Sequence, residues 1–594
     1  MKHRALVAIL AAGLLIRLIH FGFISRTAFP EIPLVSDQSD MYAFWQWAQA
    51  IRGGDLLGRD TYHPYFGWMK KIGPPEAWYR WWGGKEIYHQ APLYPYLLAG
   101  LLLIRNSPAF VLLVQLLLGC LQPLILYSLG RRLFDRGAGL VAAAAAAWYG
   151  PLIFYQGTLL RDWLPPLLEP LILAAVLRAK ERDRPGAWLA AGIVMGLATL
   201  AKETALLLIA LTLAWLVLSF RRERRELLRP LVSLGAGFVV CLAPLVARNL
   251  AVGAPPLATS VQGTDSILIG LAPDASPIGF QAPSERGAAV AIARRTEGRL
   301  LATIREALLR YREDPWRLAR RQLRKLRALI DWFEIQNNTS YHYGRDISPL
   351  LRWTIGYGLI FPLAVAGFVL LLAERRRQGL LYAYLLAALA VQMITVVLAR
   401  FRLSLLPPLI LGAAYCVTRV LSAARERKAA RAVAVLAVAV GASLLQQWVS
   451  SRTPPQRYLR LAEYHLAAQV YASHQRYAAA VGEMARFRRI ARGVPGREPE
   501  ARLAAATEGD LRTLWVQELL QLGRRAAARR QIERAEQAYA EVPRLAYPFY
   551  NLGLIHSQLG DHRKARRFWS RFLELAPAGP KSEEVRRRLS QLPL

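Results

Sequence analysis

The chain has 594 residues, 54% of them hydrophobic, and carries 77 lysines and arginines against 41 acids, a formal net charge of +36. The hydrophobic residues are arranged in long blocks, which excludes an ordinary soluble protein. This composition predicts a polytopic helical membrane protein. The charge does not indicate nucleic-acid binding, because it lies in short clusters between apolar blocks and accompanies no nucleic-acid motif. The three cysteines form neither a disulfide pattern nor a metal-ligand spacing.

The first apolar block, residues 5–25, predicts a membrane-spanning helix after a basic N-terminus. No small-residue cleavage site follows it, so we interpret it as a retained span and not as a signal peptide. Residues 26–107 predict a long loop with Pro, Gly, Trp and Tyr throughout. Near its start, Asp37 and Asp40 head an aromatic run that we expect to be helical. The last apolar stretch of this loop, residues 97–104, is too short to cross a bilayer and predicts a helix in the membrane interface.

A further series of apolar blocks predicts spans, about eleven in all. These blocks cover residues 108–130, 137–150, 163–179, 187–201, 203–220, 230–247, 351–373, 379–399, 403–422 and 430–449. Arginine and lysine clusters occupy every second connection, at residues 131–136, 178–184, 221–225, 375–377 and 425–428. With a cytoplasmic N-terminus, the positive-inside rule places every one of these clusters in the cytoplasm, which favours this count. The other connections, and the region after residue 450, then lie outside.

The long loop, residues 248–350, divides into two parts by composition. Residues 248–279 are rich in Gly, Pro and Ser and predict irregular structure. Residues 285–333 predict basic amphipathic helices that lie near anionic lipid head groups or cap the functional face, with a plain solvated face as the alternative. The stretch 337–340, Asn-Asn-Thr-Ser, contains glycosylation sequons, which matter only in a secretory pathway.

Residues 455–594 change to a soluble, helical composition. Between Tyr547 and Pro577, a large residue, Leu-Gly, a second Gly near a turn, an Ala and a closing Pro follow the spacing of a tetratricopeptide helix pair. Residues 514–543 resemble a weaker preceding copy. We therefore predict a membrane domain over residues 1–450, followed by an α-solenoid of tetratricopeptide type. The solenoid is expected to bind a partner protein or to form a rigid cap on the membrane domain.

Charged and polar side chains gather at the outer ends of the predicted spans. They are Asp37, Asp40, His89, Arg161, Asp162, Lys202, Arg248, Asn249, Arg400 and Arg402. Charges at bilayer depth are costly unless they are paired or face a wet cavity, so we expect them to converge. A carboxylate can act as general base toward a hydroxyl, while arginine and lysine can hold a phosphate. The plainer alternatives are snorkelling anchors for Arg400 and Arg402, and a local ion pair for Lys202 with Glu203.

Several short motifs carry a resemblance to a known family. They are Ser39-Asp40-Met41 with Ala48, Ala91-Pro92-Leu93-Tyr94, Leu160-Arg161-Asp162, the run 196–202 that ends in Lys202, Pro244 with Arg248-Asn249, Ala399-Arg400-Phe401-Arg402-Leu403, and Pro407-Pro408. On these motifs, residues 5–425 resemble glycosyltransferases of the GT-C fold, in the family 39 group related to protein O-mannosyltransferases and the lipid A aminoarabinose transferase. Gln90 stands where relatives with a Lys-Pro-Pro-Leu motif carry lysine, and Asp162 stands where many carry glutamate.

The resemblance implies an all-α, polytopic GT-C fold and an inverting transfer of a sugar from a polyprenyl-phosphate donor to an acceptor hydroxyl. It implies that a first-loop aspartate is the catalytic base, and spacing to Ala48 favours Asp40, with Asp37 in reserve or as a helix cap. The expected contacts of the donor phosphate are His89, Arg161, Lys202, Arg248, Arg400 and Arg402. Asp40 and Asp162 are the expected ligands of a divalent cation, if the reaction uses one, and no other cofactor is expected.

On this interpretation the protein lies in the bacterial inner membrane, with its site and its C-terminal repeats on the periplasmic side. The expected partners are the polyprenyl-phosphate sugar, a lipid, glycan or protein acceptor, membrane lipids, and a protein bound by the repeats. The alternative is a protein without catalytic activity, a scaffold or transporter of polysaccharide or cell-envelope assembly. A transporter predicts internal repeats with broken helices and charges at mid-membrane depth, whereas the charges here lie toward one face.

Overall fold

The computed structural model of the chain describes residues 4–59, 63–220, 224–372, 378–452 and 460–593. These residues fold into helices, with no named β-strand among them and two isolated β-bridges. The chain divides into two compact units, Met1–Leu459 and Arg460–Leu594. The all-α fold class predicted from the apolar blocks is confirmed. Residues 221–223 and 375–377 of two predicted basic clusters, and the predicted domain boundary near residue 455, lie outside the described residues.

Helices α1 to α13 form the first loop and the first part of the membrane unit. They are α1 (Arg4–Ile24), α2 (Ile32–Val35), α3 (Asp40–Arg52), α4 (Gly67–Lys70), α5 (Pro75–Trp81), α6 (Leu93–Ile104), α7 (Pro108–Gly119), α8 (Leu121–Leu133), α9 (Arg136–Trp148), α10 (Gly150–Gln156), α11 (Pro165–Arg182), α12 (Pro185–Ala201) and α13 (Ala205–Ser219). A 3₁₀ turn, Arg161–Trp163, lies between α10 and α11.

Helices α14 to α24 complete this unit. They are α14 (Arg224–Val252), α15 (Gln262–Leu271), α16 (Ala288–Thr296), α17 (Leu300–Leu309), α18 (Pro315–Ile330), α19 (Tyr341–Ile347), α20 (Tyr357–Leu371), α21 (Gly379–Ile394), α22 (Ala399–Arg402), α23 (Leu406–Arg425) and α24 (Ala429–Ser451). Two further 3₁₀ turns, Pro349–Trp353 and Leu403–Leu405, precede α20 and α23.

Five helical stretches within the described ranges are long and apolar enough to cross a membrane. They are Arg4–Ile24, Pro108–Leu133, Glu226–Val252, Ala399–Arg425 and Ala432–Ser451. Five shorter apolar helices, α6, α12, α13, α20 and α21, accompany them. Each predicted span coincides with a helix or with two helices in series. The protein is therefore a multi-pass helical membrane protein, and the figure of about eleven spans stays a prediction.

Helices α12 and α14 pack with their backbones nearly in contact. A Cβ atom at Gly192 would overlap the carbonyl group of Leu234, and a Cβ atom at Gly237 would overlap that of Leu189. Small residues allow this approach, and close packing is a main source of helix association inside a membrane. α12 ends at Ala201, so this pairing positions the helix that directly precedes Lys202.

The first loop and the long loop pack against each other. Met69, Trp78 and Trp82 of the first loop form one apolar cluster with Val261 and Val290 of the long loop. Burial of so many large apolar side chains stabilises the arrangement, because each contributes about 1.5–3 kcal/mol relative to exposure. The two loops therefore share one apolar core.

The long loop contains more helix than its composition predicted. α14 continues to Val252, and α15 forms within the stretch 248–279 that we expected to be irregular. That prediction was wrong because Leu268 and Leu271 bury their side chains against α16 and α17, and this packing outweighs the local Gly and Ser. α16, α17 and α18 lie in residues 285–333, where helices were predicted.

The second unit consists of helices α25 to α31 within its described residues. They are α25 (Ala462–Ser473), α26 (Tyr477–Arg492), α27 (Glu498–Gln521), α28 (Arg525–Tyr539), α29 (Tyr547–Gln558), α30 (His562–Leu575) and α31 (Pro580–Gln591). α29 and α30 are the helix pair of the predicted last repeat, and they cross where Gly553 lies against the ring of Trp569. α27 begins well before residue 514, where the weaker copy was expected to start. The tetratricopeptide assignment stays a prediction.

Candidate active site

Asp40 is the first residue of α3 and is 8% exposed. Its Oδ2 atom lies 2.9 Å from the Arg400 guanidinium and accepts a hydrogen bond from the side-chain amide of Asn338 at 2.6 Å. Arg400 lies on α22, after α21, and Asn338 lies in the long loop. The carboxylate is therefore held by two chain segments that are remote in sequence.

Asp37 lies on an exposed turn and takes no part in this arrangement. It does not cap α3 either: the Ser39 hydroxyl accepts the hydrogen bond from the backbone N–H of Tyr42 at 3.2 Å. The suggestion that Asp37 caps the helix was wrong, because the cap must directly precede the first helical residue. Of the two acids, Asp40 is the one in the buried cluster.

Arg400 joins two carboxylates. Its Nη2 atom lies 2.9 Å from Oδ2 of Asp40, and its Nη1 atom lies 3.1 Å from Oδ2 of Asp162. The guanidinium also lies over the Phe401 ring, with its carbon 5.0 Å from the ring centroid. A planar fork of donors can bind two acids at once, which a lysine ammonium cannot do in the same geometry.

Asp162 lies in the 3₁₀ turn before α11 and is 1% exposed, with its Oδ1 atom 3.2 Å from the Lys202 ammonium. Burial alone would raise the pKa of Asp162, but Lys202, Arg400 and Arg161 lower it below its ordinary value. Burial lowers the pKa of Lys202, and Asp162 opposes that change. Lys202, Asp162, Arg400 and Asp40 thus form a row of alternating charges, called here the ion-pair series.

Arg161 lies beside the ion-pair series. Its guanidinium donates to the side-chain oxygen of Gln262 at 2.6 Å and lies 4.0 Å from the carboxylate of Glu203. Lys202 reaches Asp162 and not its neighbour Glu203, so the local ion pair that was the plainer alternative does not form. One of the Arg161 contacts is to a neutral amide, which an anionic ligand could replace.

A cavity of about 570 Å³ opens beside the series. Three cations, Arg161, Lys202 and Arg299, line it together with two acids, Glu203 and Glu297, and several hydroxyl-bearing side chains. The rest of its wall is largely apolar and includes Leu206, Leu207, Leu257, Leu300, Val391 and Ile394. Such a chamber fits a ligand that carries both an anionic group and a hydrocarbon chain. Lys202 and Arg161 face this chamber, whereas Asp40 lies at the other end of the series.

Arg248 was predicted as a phosphate contact, but it is occupied elsewhere. It donates to the backbone carbonyls of Leu57, Gly58 and Glu86 at 2.6–2.7 Å, and it stacks on Tyr88 at 3.8 Å. These bonds hold the first loop to the end of α14. The structure does not bring Arg248 to the ion-pair series.

His89 packs in an aromatic group of the first loop. Its ring centroid lies 4.9 Å from that of Trp82 and 6.0 Å from that of His63. Burial, followed by the charges of His63 and Arg161, lowers the pKa of His89 well below its ordinary value. These surroundings disfavour the charged imidazole, so His89 is a poor replacement for the lysine of the Lys-Pro-Pro-Leu motif.

Arg402 follows Arg400 by two residues but lies in different surroundings. It pairs with Glu334 at 2.8 Å and donates to the backbone carbonyls of Asp331 at 2.6 Å and Phe333 at 3.1 Å. Its donors are therefore directed at the long loop. It anchors the segment that begins at residue 331 and does not face the cavity beside Lys202.

The predicted metal ligands do not form an open pair of carboxylates. Arg400 is bonded to both Asp40 and Asp162, so a guanidinium stands where a divalent cation would bridge them. Across the described ranges, no group of three or more His, Cys, Asp or Glu is placed to hold a metal ion. The residues present do not fit a divalent cation in this arrangement.

Sequence reasoning missed Asn338 and Gln262. Asn338 contacts Asp40 across 298 residues of chain, and Gln262 contacts Arg161 across 101 residues. Neither residue is charged, and neither lies in a family motif quoted above. The sequon pattern at 337–340 carries no information about a contact with Asp40, so no signal in the sequence identified it.

Comparison with known proteins gives one family match. Residues 89–247 match the family model described as dolichyl-phosphate-mannose-protein mannosyltransferase. This range contains Arg161, Asp162 and Lys202, but neither Asp40 nor Arg400. No curated protein matches the chain.

Among solved structures, the chain is similar to the oligosaccharyltransferase of Archaeoglobus fulgidus. In its form tethered to an acceptor peptide containing the NVT sequon, the identity is 15% and the TM-score 0.42, covering 75% of this chain and 55% of that chain. For the apo form, the identity is 15% and the TM-score 0.43, covering 76% of this chain and 56% of that chain. For the complex with an inhibitory peptide and a dolichol-phosphate, the identity is 14% and the TM-score 0.42, covering 76% of this chain and 56% of that chain. The chain thus spans little more than half the length of these relatives. The resemblance to GT-C glycosyltransferases predicted from the motifs is confirmed by the family match over residues 89–247.

Proposed function

We propose that the protein is an inverting glycosyltransferase that moves a sugar from a polyprenyl-phosphate donor to an acceptor hydroxyl at the outer face of the membrane. The observation that carries the proposal is the ion-pair series beside a largely apolar cavity into which Arg161 and Lys202 face. The family match supports it, because its description names a dolichyl-phosphate sugar.

The cavity is the proposed donor site. Lys202 and Arg161 bind the phosphate, and the apolar side chains of α13 and α21 contact the prenyl chain. The phosphate replaces the Gln262 amide on Arg161, since two charged oxygens satisfy a guanidinium better than one neutral amide oxygen. A donor bound in this way places its sugar toward the ion-pair series.

Asp40 is the proposed general base. Its carboxylate removes the proton of the acceptor hydroxyl while the hydroxyl oxygen attacks the anomeric carbon from the face opposite the phosphate. The bond between the anomeric carbon and the phosphate oxygen breaks, the electron pair leaves with the phosphate, and the proton stays on Asp40. Lys202 and Arg161 stabilise the new charge on the phosphate. This single displacement inverts the configuration of the sugar.

The rest of the molecule is proposed to serve the acceptor. The long loop shapes the site for a lipid, glycan or protein hydroxyl, and the C-terminal unit binds a partner through tetratricopeptide-like helix pairs. The protein is proposed to lie in a bacterial inner membrane, and the distribution of basic clusters supports a periplasmic site and C-terminal unit.

Transfer of a radiolabelled sugar tests the proposal. Purified protein is incubated with a panel of polyprenyl-phosphate monosaccharides and a detergent extract of membranes, and labelled product is counted for wild type, Asp40→Asn and Asp37→Asn. We expect Asp40→Asn to lose roughly 10²- to 10⁴-fold in rate, the usual contribution of a general base, while donor binding persists. Asp37→Asn should retain activity, because Asp37 is exposed and outside the cluster.

Two results would contradict the proposal in different ways. If no donor gives labelled product, the protein is better described as a scaffold or transporter of envelope assembly. If Asp37→Asn is inactive and Asp40→Asn is active, the base lies three residues earlier than proposed.

A further inference from the structure

Asn338 makes a two-way contact with Asp40. The side-chain amide donates to Oδ2 of Asp40 at 2.6 Å, and the backbone N–H of Asp40 donates to the side-chain oxygen of Asn338 at 3.3 Å. These two bonds fix the orientation of the amide. If it were turned over, an acceptor would face the carboxylate and a donor would face the N–H.

The same contact completes the start of α3. The first backbone N–H groups of a helix have no partner inside the helix and need one from outside. The Ser39 hydroxyl serves the N–H of Tyr42, and Asn338 serves that of Asp40. The long loop therefore caps the helix that carries the proposed base.

Asn338 is itself held on both sides. Arg402 binds the carbonyls of Asp331 and Phe333 on the N-terminal side of the segment. On the C-terminal side, the Ser340 hydroxyl caps α19 by accepting from the N–H of Tyr343 at 3.1 Å. Because both flanks are anchored, the amide is set in place before any substrate arrives.

We infer that Asn338 is a positioning residue for Asp40, an inference that rests on the proposed role of Asp40 as the general base. Arg400 and Asn338 both bind Oδ2, and no hydrogen bond from the described residues reaches Oδ1. Two donors on one oxygen fix the plane of the carboxylate and leave the other oxygen for the proton of the acceptor hydroxyl. Arg402 affects Asp40 only indirectly, because it holds the segment that carries Asn338.

Two substitutions test the inference. Asn338→Leu keeps the approximate size of the side chain but removes the amide donor, and Asn338→Ala removes most of the side chain. Asn106→Ala is the matched control, since Asn106 is an exposed amide of the same unit that accepts a hydrogen bond from Gln49 at 2.8 Å. For each variant, kcat and the donor KM are measured with the radiolabelled polyprenyl-phosphate sugar and membrane extract, together with the thermal midpoint.

We expect both Asn338 variants to lose roughly 10- to 100-fold in kcat, the effect of one lost hydrogen bond to a charged group. The donor KM should stay within about twofold, because the donor phosphate binds at the other end of the series. Asn338→Leu should keep a thermal midpoint within a few degrees of wild type, and Asn106→Ala should behave as wild type. If Asn338→Ala fails to fold, the size-matched Asn338→Leu decides the question.

The outcomes separate this inference from the proposed function. If Asp40→Asn is inactive but both Asn338 variants keep wild-type kcat, the positioning role is wrong and the general base stands. A fall in kcat accompanied by an equal loss of donor binding and a lower midpoint also overturns it, since that pattern reports a structural residue. Full activity of Asp40→Asn overturns the proposed base, and the positioning role with it.

Discussion

Arg400 and Arg402 lie on the same short helix, α22, yet they bind different kinds of partner. Arg400 contacts the side chains of Asp40 and Asp162. Arg402 contacts one side chain, Glu334, and two backbone carbonyls. Side-chain partners can rotate and exchange when a ligand binds, whereas backbone carbonyls of an anchored segment cannot. The first arginine is therefore suited to a site, and the second to the scaffold around it.

The difference has a simple geometric origin. Residues two apart on a helix do not face each other, so the two guanidinium groups point into separate regions. The family motif Ala399 to Leu403 contains both arginines and does not separate their surroundings. The following changes test the contrast, starting with the largest expected effect.

Arg402→Ala should destabilise the protein by about 3–5 kcal/mol, the cost of leaving a buried charge without its partner. Glu334 would lose its cation, and two carbonyls would lose their donor. The thermal midpoint of the detergent-solubilised protein measures the loss. Arg352→Ala is the control, because its pair with Asp346 is exposed and worth about 0–1 kcal/mol. Equal midpoints for the two variants would contradict the scaffold role of Arg402.

Lys202→Met should weaken binding of a polyprenyl phosphate roughly 10- to 100-fold, because a charge-assisted hydrogen bond to the phosphate is lost. Asp162 keeps Arg400 as a partner, so the fold should persist. Binding of a radiolabelled polyprenyl phosphate to the purified protein measures the change. Lys70→Met, at an exposed lysine of the first loop, is the matched control. Unchanged affinity in Lys202→Met would remove Lys202 from the proposed donor site.

Arg400→Lys should lower kcat about tenfold and leave the thermal midpoint close to wild type. Lysine keeps the positive charge but cannot bind Asp40 and Asp162 through one planar fork. Steady-state transfer assays measure the loss, and Arg402→Lys is the comparison. If Arg402→Lys lowers kcat more than Arg400→Lys at equal stability, the division between site and scaffold is reversed.

The smallest effect concerns a carboxyl group without a cation partner. Asp265 lies among Trp68, Trp78 and Trp82, and burial raises its pKa to about 7. The folded protein then keeps a proton that the unfolded chain has already released, so stability should fall as the pH rises from about 4 to about 7. Asp162, whose cations lower its pKa, gives the opposite slope at lower pH.

We expect the Asp265 effect to be on the order of 1 kcal/mol, since the residue is partly exposed. Thermal midpoints of wild type and Asp265→Asn at pH 5 and pH 8 measure it. Asp265→Asn should show a smaller drop between the two pH values. Parallel curves for the two proteins would show that Asp265 does not carry the pH dependence.

Helices and candidate charges were predictable from sequence for one physical reason. Apolar blocks of this length must form helices in a membrane. Charged side chains at the ends of such helices must be paired or face a water-filled cavity, which marks them as site candidates. Asp40, Asp162, Lys202 and Arg400 were candidates, and the structure brings them together, although their roles stay predictions.

What could not be predicted depends on contacts between distant segments. Arg248, Arg402 and His89 were candidates of the same kind, but backbone carbonyls and aromatic rings occupy them. An arginine that binds carbonyls and one that binds a substrate look alike in a sequence. Asn338 is the converse case, a neutral residue with no motif whose position matters only once the long loop meets α3.

The glycine contacts between α12 and α14 make the position of Lys202 sensitive to the size of residues far from it. A Cβ atom at Gly192 or Gly237 would overlap the backbone of the neighbouring helix, so alanine at either position would push the two helices apart. Lys202 directly follows α12. We therefore expect a single added methyl group in this helix pair to displace the Lys202 ammonium from Asp162.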